Sequence, residues 1–220
     1  MNILLRRRMM MTLLGGSPTP PEPPTPVLPY DAEIEYLESS SGTGQYINTL
    51  IMPTSATGLK MHVYCKDTVD TYIAGLRNGT NTNTRWCVGH SSAGFYWGYG
   101  SYQTTNRLVS QDATVELNWL GSGTFVASNS SDTKTQSLPS LSFTPNKNIC
   151  LFICNGAYNQ SYGKWNGRIY YCKISQGSDI VMDLIPVRIG TVGYMYDKVT
   201  GELFGNSGSG TFILGNDITT

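Results

Sequence analysis

Short apolar segments separated by glycine-rich and polar turns recur along most of this chain, and this pattern constrains the fold more than any other feature. From Tyr30 onward the segments lie about eight to fifteen residues apart and are rich in β-branched and aromatic residues. No window shows a sustained apolar stripe with the 3.6-residue period of a helix. Many short strands at this spacing indicate a sandwich or a barrel, so we predict an all-β domain.

The predicted strands can be read off directly as runs of residues. Within the run NICLFIC, the residues CLFIC are apolar on both faces, which predicts one central strand that is covered on both sides. In the first run, Glu33, Glu35 and Glu38 are expected on the solvent side of an edge strand. The runs are AEIEYLESS, QYINTLI, LKMHVYCK, TYIAGLR, RWCVG, GFYWGYGSY, TVELNWL, GTFVAS, LSFTP, NICLFIC, GRIYYCKI, DIVMDLIPVR, GYMYD and TFILG.

Length and composition agree with one β-rich domain. The 220 residues suffice for a single core, and 24 glycines and 14 tyrosines with only 14% charged residues favour strands and tight turns. The net charge is zero, and the only dense basic cluster is Arg6, Arg7 and Arg8. Nothing in the body of the chain therefore suggests a nucleic-acid partner.

The glycine-rich stretch LFGNSGSGTFILG near the end of the chain is interpreted as a set of turns. A phosphate-binding loop needs a lysine and a hydroxyl after its last glycine, whereas Gly210 is followed by Thr211 and Phe212. The preceding residues predict a strand, a turn over residues 197–201 and a second short strand. We expect this stretch to be structural.

Five cysteines, an odd number, favour buried free thiols made in a reducing cytoplasm over a disulfide framework. The pairs His62 with Cys65 and Cys87 with His90 could in principle supply four zinc ligands. Residues three apart in a strand point to opposite faces, which argues against zinc. We predict no metal and no cofactor.

The N-terminus forms two separate segments ahead of a body at residues 30–220. Residues 1–16 combine a basic cluster with an apolar stretch that is too short for a signal peptide or a membrane span. Residues 17–29 are proline-rich and predict an extended spacer of about 35 Å. A disordered tail is the alternative. As an anchor, the first segment would use Leu4, Leu5, Arg6, Arg7, Arg8, Met9, Met10 and Met11.

The run GFYWGYGSY is the best candidate for a ligand site, because flat rings stack on the apolar faces of sugars. The alternative is that these rings belong to the core or to cross-strand pairs. Alternation places Trp97 and Tyr99 on one face and Tyr96 and Tyr102 on the other, and the polar loop that contains Asn81 and Asn83 is expected beside them. The predicted glycan-binding residues are Tyr96, Trp97, Tyr99, Tyr102, Asn81 and Asn83.

Three stretches in order, IEYLESSSGTGQYINTLIMP, WNGRIYYCKI with DLIPVR, and GYMYDKVTGELFGNSGSGTFILG, resemble the signature stretches of concanavalin A-like, laminin-G-like jelly-roll modules. The resemblance covers residues 30–215 and implies two antiparallel sheets packed face to face. Such modules are common in bacteriophage virion proteins and in surface proteins of gut bacteria. The sequence RRRMMM followed by a spacer is similar to the starts of phage virion accessory proteins.

The resemblance implies a phage head fibre or similar virion-surface protein, made in the host cytoplasm. Its expected partners are other virion proteins, held through the N-terminal anchor, and cell-surface or mucin glycans. We expect a homo-oligomer and no membrane partner. The alternatives are a bacterial surface lectin and a purely structural decoration.

We expect no enzymatic activity. Jelly-roll glycosidases place catalytic carboxylates a few residues apart on one strand face, and their E-x-D-x-x-E pattern is absent. His62 and His90 are the only histidine bases, and no G-x-S-x-G nucleophile motif accompanies them.

Overall fold

A computed structural model describes residues 28–40, 44–67, 71–78, 85–100, 102–118, 123–139, 144–156 and 165–218. Within these ranges the chain forms two β-sheets of largely antiparallel strands, which face each other across one core. The predicted all-β sandwich is confirmed. The predicted anchor at residues 1–16 and nearly all of the spacer at 17–29 lie outside the described residues.

No helix in the described part of the chain has the length and apolar character needed to cross a membrane.

Most predicted runs form strands at the expected places, with shifts of a few residues. In chain order the described strands are β1 (Ala32–Glu33), β2 (Leu37–Ser39), β3 (Ile47–Asn48), β4 (Thr57–Cys65), β5 (Thr71–Arg77), β6 (Arg85–Ser91), β7 (Gly94–Gly100), β8 (Tyr102–Thr105), β9 (Asp112–Asn118), β10 (Thr124–Ser128), β11 (Thr133–Ser137), β12 (Cys150–Leu151), β13 (Cys154–Asn155), β14 (Gly167–Gln176), β15 (Asp179–Ile189), β16 (Val192–Asp197), β17 (Leu203–Phe204) and β18 (Ile213–Leu214).

The larger sheet has the order β11-β10-β9-β4-β14-β15-β16-β17. Strand β2 pairs with the start of β14 and with β18, and β1 pairs with β15. One face of each long strand is buried and the other is at least partly exposed, as in β4, where Met61 and Val63 are buried and Lys60 is exposed. This alternation is the two-residue period that the sequence shows.

The smaller sheet has the order β3-β12-β5-β6-β7-β8. The prediction of one continuous strand through NICLFIC is wrong, because the chain turns at Phe152, whose φ is 68°. Strand β12 runs antiparallel to β5, and β13 then runs parallel to the same strand. Both pieces are largely buried, as the apolar run predicted.

The core lies between the sheets and is rich in aromatic rings. Trp97 of β7 meets Trp86 edge to face at 4.7 Å between ring centroids, and reaches Phe125 of the larger sheet at 6.4 Å. All three side chains are at most 1% exposed. These contacts join the two sheets.

The glycine-rich stretch near the end of the chain is a turn structure that folds over residues 44–46. Oδ1 of Asn206 accepts hydrogen bonds from the backbone N–H groups of Tyr46 (3.1 Å) and Gly208 (2.9 Å). A Cβ at Gly208 would collide with the backbone of Gly44, so only glycine fits this approach. The predicted turn before this stretch is also present, with the buried Asp197 accepting from Thr200 Oγ1 at 2.8 Å.

The two ends of the described body meet beside the C-terminal part of β15 in the larger sheet. Nε of Arg188 donates to Oδ1 of Asp217 at 2.7 Å, and its Nη1 lies 3.9 Å from Oδ2 of Asp31. The backbone of Ile218 donates to Glu33 at 2.9 Å. The first and last described strands are thus tied together.

Candidate functional site

The outer face of the larger sheet carries a continuous polar and aromatic surface. Strands β4 and β9 pair so that Tyr64 lies opposite Asp112 and His62 lies opposite Thr114. Thr114 in turn lies opposite Ser128 on β10. Since the intervening residues of these strands point into the core, these side chains share the outer face.

A register shift in β14 adds a second ring to this face. Ile169 pairs with Val63 and Tyr171 pairs with His62, so Tyr170 is the extra residue. Ile169 and Cys172 are fully buried, whereas Tyr170 and Tyr171 are both half-buried. The irregularity therefore breaks the alternation and leaves two neighbouring tyrosines on the outer side.

The rings on this face contact one another. The His62 ring stacks on Tyr170 with 4.4 Å between centroids and an interplanar angle of 21°. Tyr36 meets Tyr170 edge to face at 5.6 Å. The aromatic cluster of the outer face consists of Tyr36, His62, Tyr64, Tyr170 and Tyr171.

Beside this cluster lies a groove of about 410 Å³. Nε2 of His62 donates to Oδ1 of Asp112 at 2.7 Å, and the two side chains remain 34% and 60% exposed. The remaining wall is made of small hydroxyl and amide side chains. The polar residues that line the groove are His62, Ser110, Asp112, Thr114, Ser128, Asn129 and Ser130.

Arg168 and Glu38 hold the other side of the aromatic cluster in place. The guanidinium of Arg168 lies 4.2 Å from the ring centroid of Tyr36 and 5.4 Å from that of Tyr64. Its Nε donates to Oε2 of Glu38 at 2.6 Å, and Lys66 binds the other carboxylate oxygen. This network orients both tyrosine rings.

Glu38 is the one predicted surface glutamate that the structure corrects. It is only 3% exposed, because β2 is paired on both sides and is not an edge strand. Burial on its own would raise the pKa of this carboxyl, but the hydrogen bonds from Lys66 and Arg168 outweigh burial, and the pKa is lowered. Glu38 is therefore a charged structural residue beneath the site.

The predicted ring site on β7 is wrong, because both faces of that strand are covered. Trp97 and Tyr99 are 0% and 1% exposed and belong to the core cluster. Tyr96 points to the other face but is 4% exposed; its ring covers Gly89, and its hydroxyl donates to the Thr71 carbonyl at 2.9 Å. None of these three rings presents a surface on which a ligand could stack.

The remaining predicted contacts cannot be placed. Tyr102 lies in β8 opposite Tyr99, and its side chain is outside the described residues. Asn81 and Asn83 are also outside them, as are the anchor residues between Leu4 and Met11.

The two Cys–His pairs are not brought together. His62 lies on the outer face of the larger sheet and Cys65 points inward, while Cys87 and His90 lie on opposite faces of β6 in the smaller sheet. All five cysteines are free and buried. In the ranges that the structure describes, no three His, Cys, Asp or Glu side chains form a group that could hold a metal ion.

Neither a family model nor a curated protein matches the sequence. Among solved structures, the fold is similar to a protein from Bacteroides ovatus ATCC 8483 named as a "putative carbohydrate binding protein", with a TM-score of 0.53 and 14% sequence identity. The match covers 84% of this chain and 61% of that chain, so this chain spans less than two thirds of its neighbour. At this identity the two proteins share a fold.

Proposed function

We propose that this chain is a carbohydrate-binding module whose sugar site is the groove beside His62. One observation carries the proposal: the His62 ring, which stacks on Tyr170, lines a groove together with a carboxylate, hydroxyls and an amide. Proteins bind sugars through this combination, since rings cover the apolar C–H face and polar side chains bond the hydroxyls. The name given to the Bacteroides protein of similar fold adds support.

The geometry assigns a role to each side of the groove. Asp112 is the strongest acceptor in it, because its carboxylate is 60% exposed and only one of its side-chain oxygens is engaged by His62. Ser128 and Thr114, which are neighbours across β9 and β10, offer hydroxyls that donate or accept. The groove volume suits a ligand of one or two sugar rings, at the small end of ordinary ligand pockets of about 300 to 1,000 Å³.

The test is glycan binding by the full chain. A glycan array identifies a neutral saccharide, and calorimetry then gives its affinity for the wild type and for Asp112→Asn. We expect the variant to bind at least about tenfold more weakly, because a charged hydrogen-bond acceptor to the sugar is lost.

Asp179→Asn is the matched control, since Asp179 is an exposed aspartate in the hairpin between β14 and β15. This variant should bind like the wild type. Equal affinity of wild type and Asp112→Asn, or silence of the wild type across a broad array, would overturn the sugar groove and favour a structural decoration.

We further propose that the module is displayed on a phage particle and is held there by residues 1–16. The support is in the sequence: flexible Met9, Met10 and Met11 fit irregular apolar grooves, and Arg6 to Arg8 can pair with carboxylates of a partner. The proline-rich segment then acts as a spacer. In this role the module binds and does not catalyse.

Deletion of residues 1–16 tests the anchor. We expect a soluble, folded sandwich that no longer co-purifies with particles, whereas a shortened proline segment preserves attachment. Particles that carry a full complement of the truncated chain would refute the anchor. Recovery of the protein from a bacterial envelope, without its first residues, would instead favour the bacterial surface lectin.

A further inference from the structure

Two arginines lie side by side on the outer face of the smaller sheet. Arg77 of β5 and Arg85 of β6 are direct cross-strand partners, so their Cβ atoms are about 5 Å apart. They share this face with Cys87, because Trp86 and Val88 point into the core. This face is on the opposite side of the sandwich from the groove beside His62.

Among the residues that the structure describes, no carboxylate neutralises either arginine. Arg77 is only 8% exposed and Arg85 is half-buried, yet no acidic side chain in the described ranges forms an ion pair with either. Residues 78–84, which join the two strands, contain no aspartate or glutamate. The pair therefore concentrates two positive charges.

The donors of these guanidinium groups are also incompletely used. Nε of Arg77 and Nε of Arg85 are both buried, and neither has a hydrogen-bond partner within the described part of the chain. Nη1 of Arg77 donates to the Tyr72 hydroxyl at 3.3 Å, a long bond to a neutral acceptor. Buried donors are almost always paired, so two adjacent exceptions call for an explanation.

The absence of a side chain at Gly98 leaves space for the side chain of Arg85. A Cβ at Gly98 would lie 2.8 Å from Cδ and 2.9 Å from Nε of Arg85, so a side chain there would displace it. Like charges placed directly opposite in a sheet destabilise it, and unpaired buried charge adds to this cost. Without a bound anion this arrangement destabilises the sheet, and a bound anion offsets that destabilisation.

We propose that Arg77 and Arg85 together bind an oxyanion, either a carboxylate or a sulfate group. A planar guanidinium matches the two oxygens of such a group, and two adjacent guanidiniums can hold it from two sides. This is a second site, independent of the sugar groove. It gives the module a means of recognising acidic glycans or small anions.

The positive charges of the two arginines also affect the pKa of the neighbouring Cys87 thiol. Burial would raise the pKa of Cys87, but a hydrogen bond with the Cys154 thiol and the charges of Arg85 and Arg77 lower it. A Cys87 thiolate is therefore the alternative counter-charge for Arg77 and Arg85, and a Cys87→Ser variant tests this alternative.

The test follows the arginine Nε–Hε signals of the ¹⁵N-labelled full chain by NMR, with chloride used to hold the ionic strength constant. The probes are sodium sulfate, sodium glucuronate and, as the neutral control, glucose. We expect saturable shifts of the Arg77 signal with one or both anions and none with glucose. A response to sulfate alone would identify the ligand of the two arginines as a free inorganic anion. A response to glucuronate alone would identify it as an acidic sugar.

Arg85→Gln should weaken anion binding at least about tenfold, because one of the two forks is removed. It should also raise the melting temperature in chloride buffer without sulfate or glucuronate, since the like-charge contact is relieved. Arg107→Gln, at an exposed loop arginine, is the matched control and should change neither result.

Two outcomes would overturn the proposal. One is an Arg77 signal that responds to neither anion; if Cys87→Ser then shifts that signal, the thiolate is the counter-charge. The other is an equal anion response in the wild type and in Arg85→Gln.

Discussion

His90 carries a titratable ring into the core between the two sheets. It is fully buried and meets Phe95 edge to face at 4.7 Å between ring centroids. Desolvation lowers its pKa below the ordinary value of 6.5, and backbone groups of Asp67 and Ser110 offset only part of this. The folded chain therefore holds the ring neutral in a pH range where the unfolded chain protonates it.

We predict that the free energy of unfolding decreases as the pH falls below about 6.5. In that range His90 is protonated in the unfolded state but not in the folded state. The free energy of unfolding stops decreasing once the pH is below the lowered pKa of His90 in the folded state. Urea unfolding between about pH 8 and about pH 5 measures the slope, above the range where the carboxyls titrate.

His90→Phe should flatten this slope, while His62→Gln on the outer face should retain it. A slope that is identical in the wild type and in His90→Phe would assign the pH dependence to other groups.

At the scale of single residues the sequence predicted burial better than it predicted the site. Period-two alternation correctly separates the faces of β7, but it cannot say that the second face is also covered. The half-buried rings of the outer face instead come from the pair Tyr170–Tyr171 in GRIYYCKI. There the polar–apolar alternation is interrupted by one residue, and this was the available signal for a bulge that turns two rings outward.

At the scale of the strands, Gly75 is a position where several strands of the smaller sheet come close together. Its φ is 138°, and it lies between β6 and the pieces β12 and β13, with Cys87 on one side and Cys154 on the other. A Cβ at this position would collide with the Trp86 carbonyl and lie 2.5 Å from Cα of Cys87. No side chain fits between these backbones.

We predict that Gly75→Ala destabilises the fold by more than about 3 kcal/mol, because backbone strain and steric overlap add. Gly177→Ala is the matched control, since Gly177 also has a positive φ of 63° but no atom within 4 Å of its would-be Cβ. It should cost only about 1 to 2 kcal/mol. Chemical denaturation measures the free energy of unfolding of both variants. Equal losses of stability would show that the close packing at Gly75 adds nothing to the effect of the substitution.

The strands that the sequence predicted well are those with a buried face. TYIAGLR corresponds to β5 residue for residue, whereas β11, Thr133–Ser137, was missed because its side chains are nearly all exposed and it follows only as the edge partner of β10. The break in NICLFIC was missed because an apolar run gives no sign of a turn. Here tertiary packing on β5 decides the conformation.

At the scale of the molecule, all five cysteine thiols are buried. Burial raises the pKa of Cys65 and of Cys150 to about 12, which keeps these groups as unreactive thiols. We predict that alkylation without reductant labels five cysteines in the unfolded chain and almost none in the native chain, as counted by mass spectrometry. Fewer than five labels after unfolding would reveal a disulfide and an oxidising history.

The meeting of the two ends of the described body at Arg188 has a consequence for engineering. Because Asp31 and Asp217 both contact the Arg188 guanidinium, the first and last residues of the body lie close together on one side of it. It can therefore be spliced into an exposed loop of an unrelated host protein without forcing that loop apart. The same closeness permits circular permutation, in which a short peptide joins the old ends and new ends open at another turn.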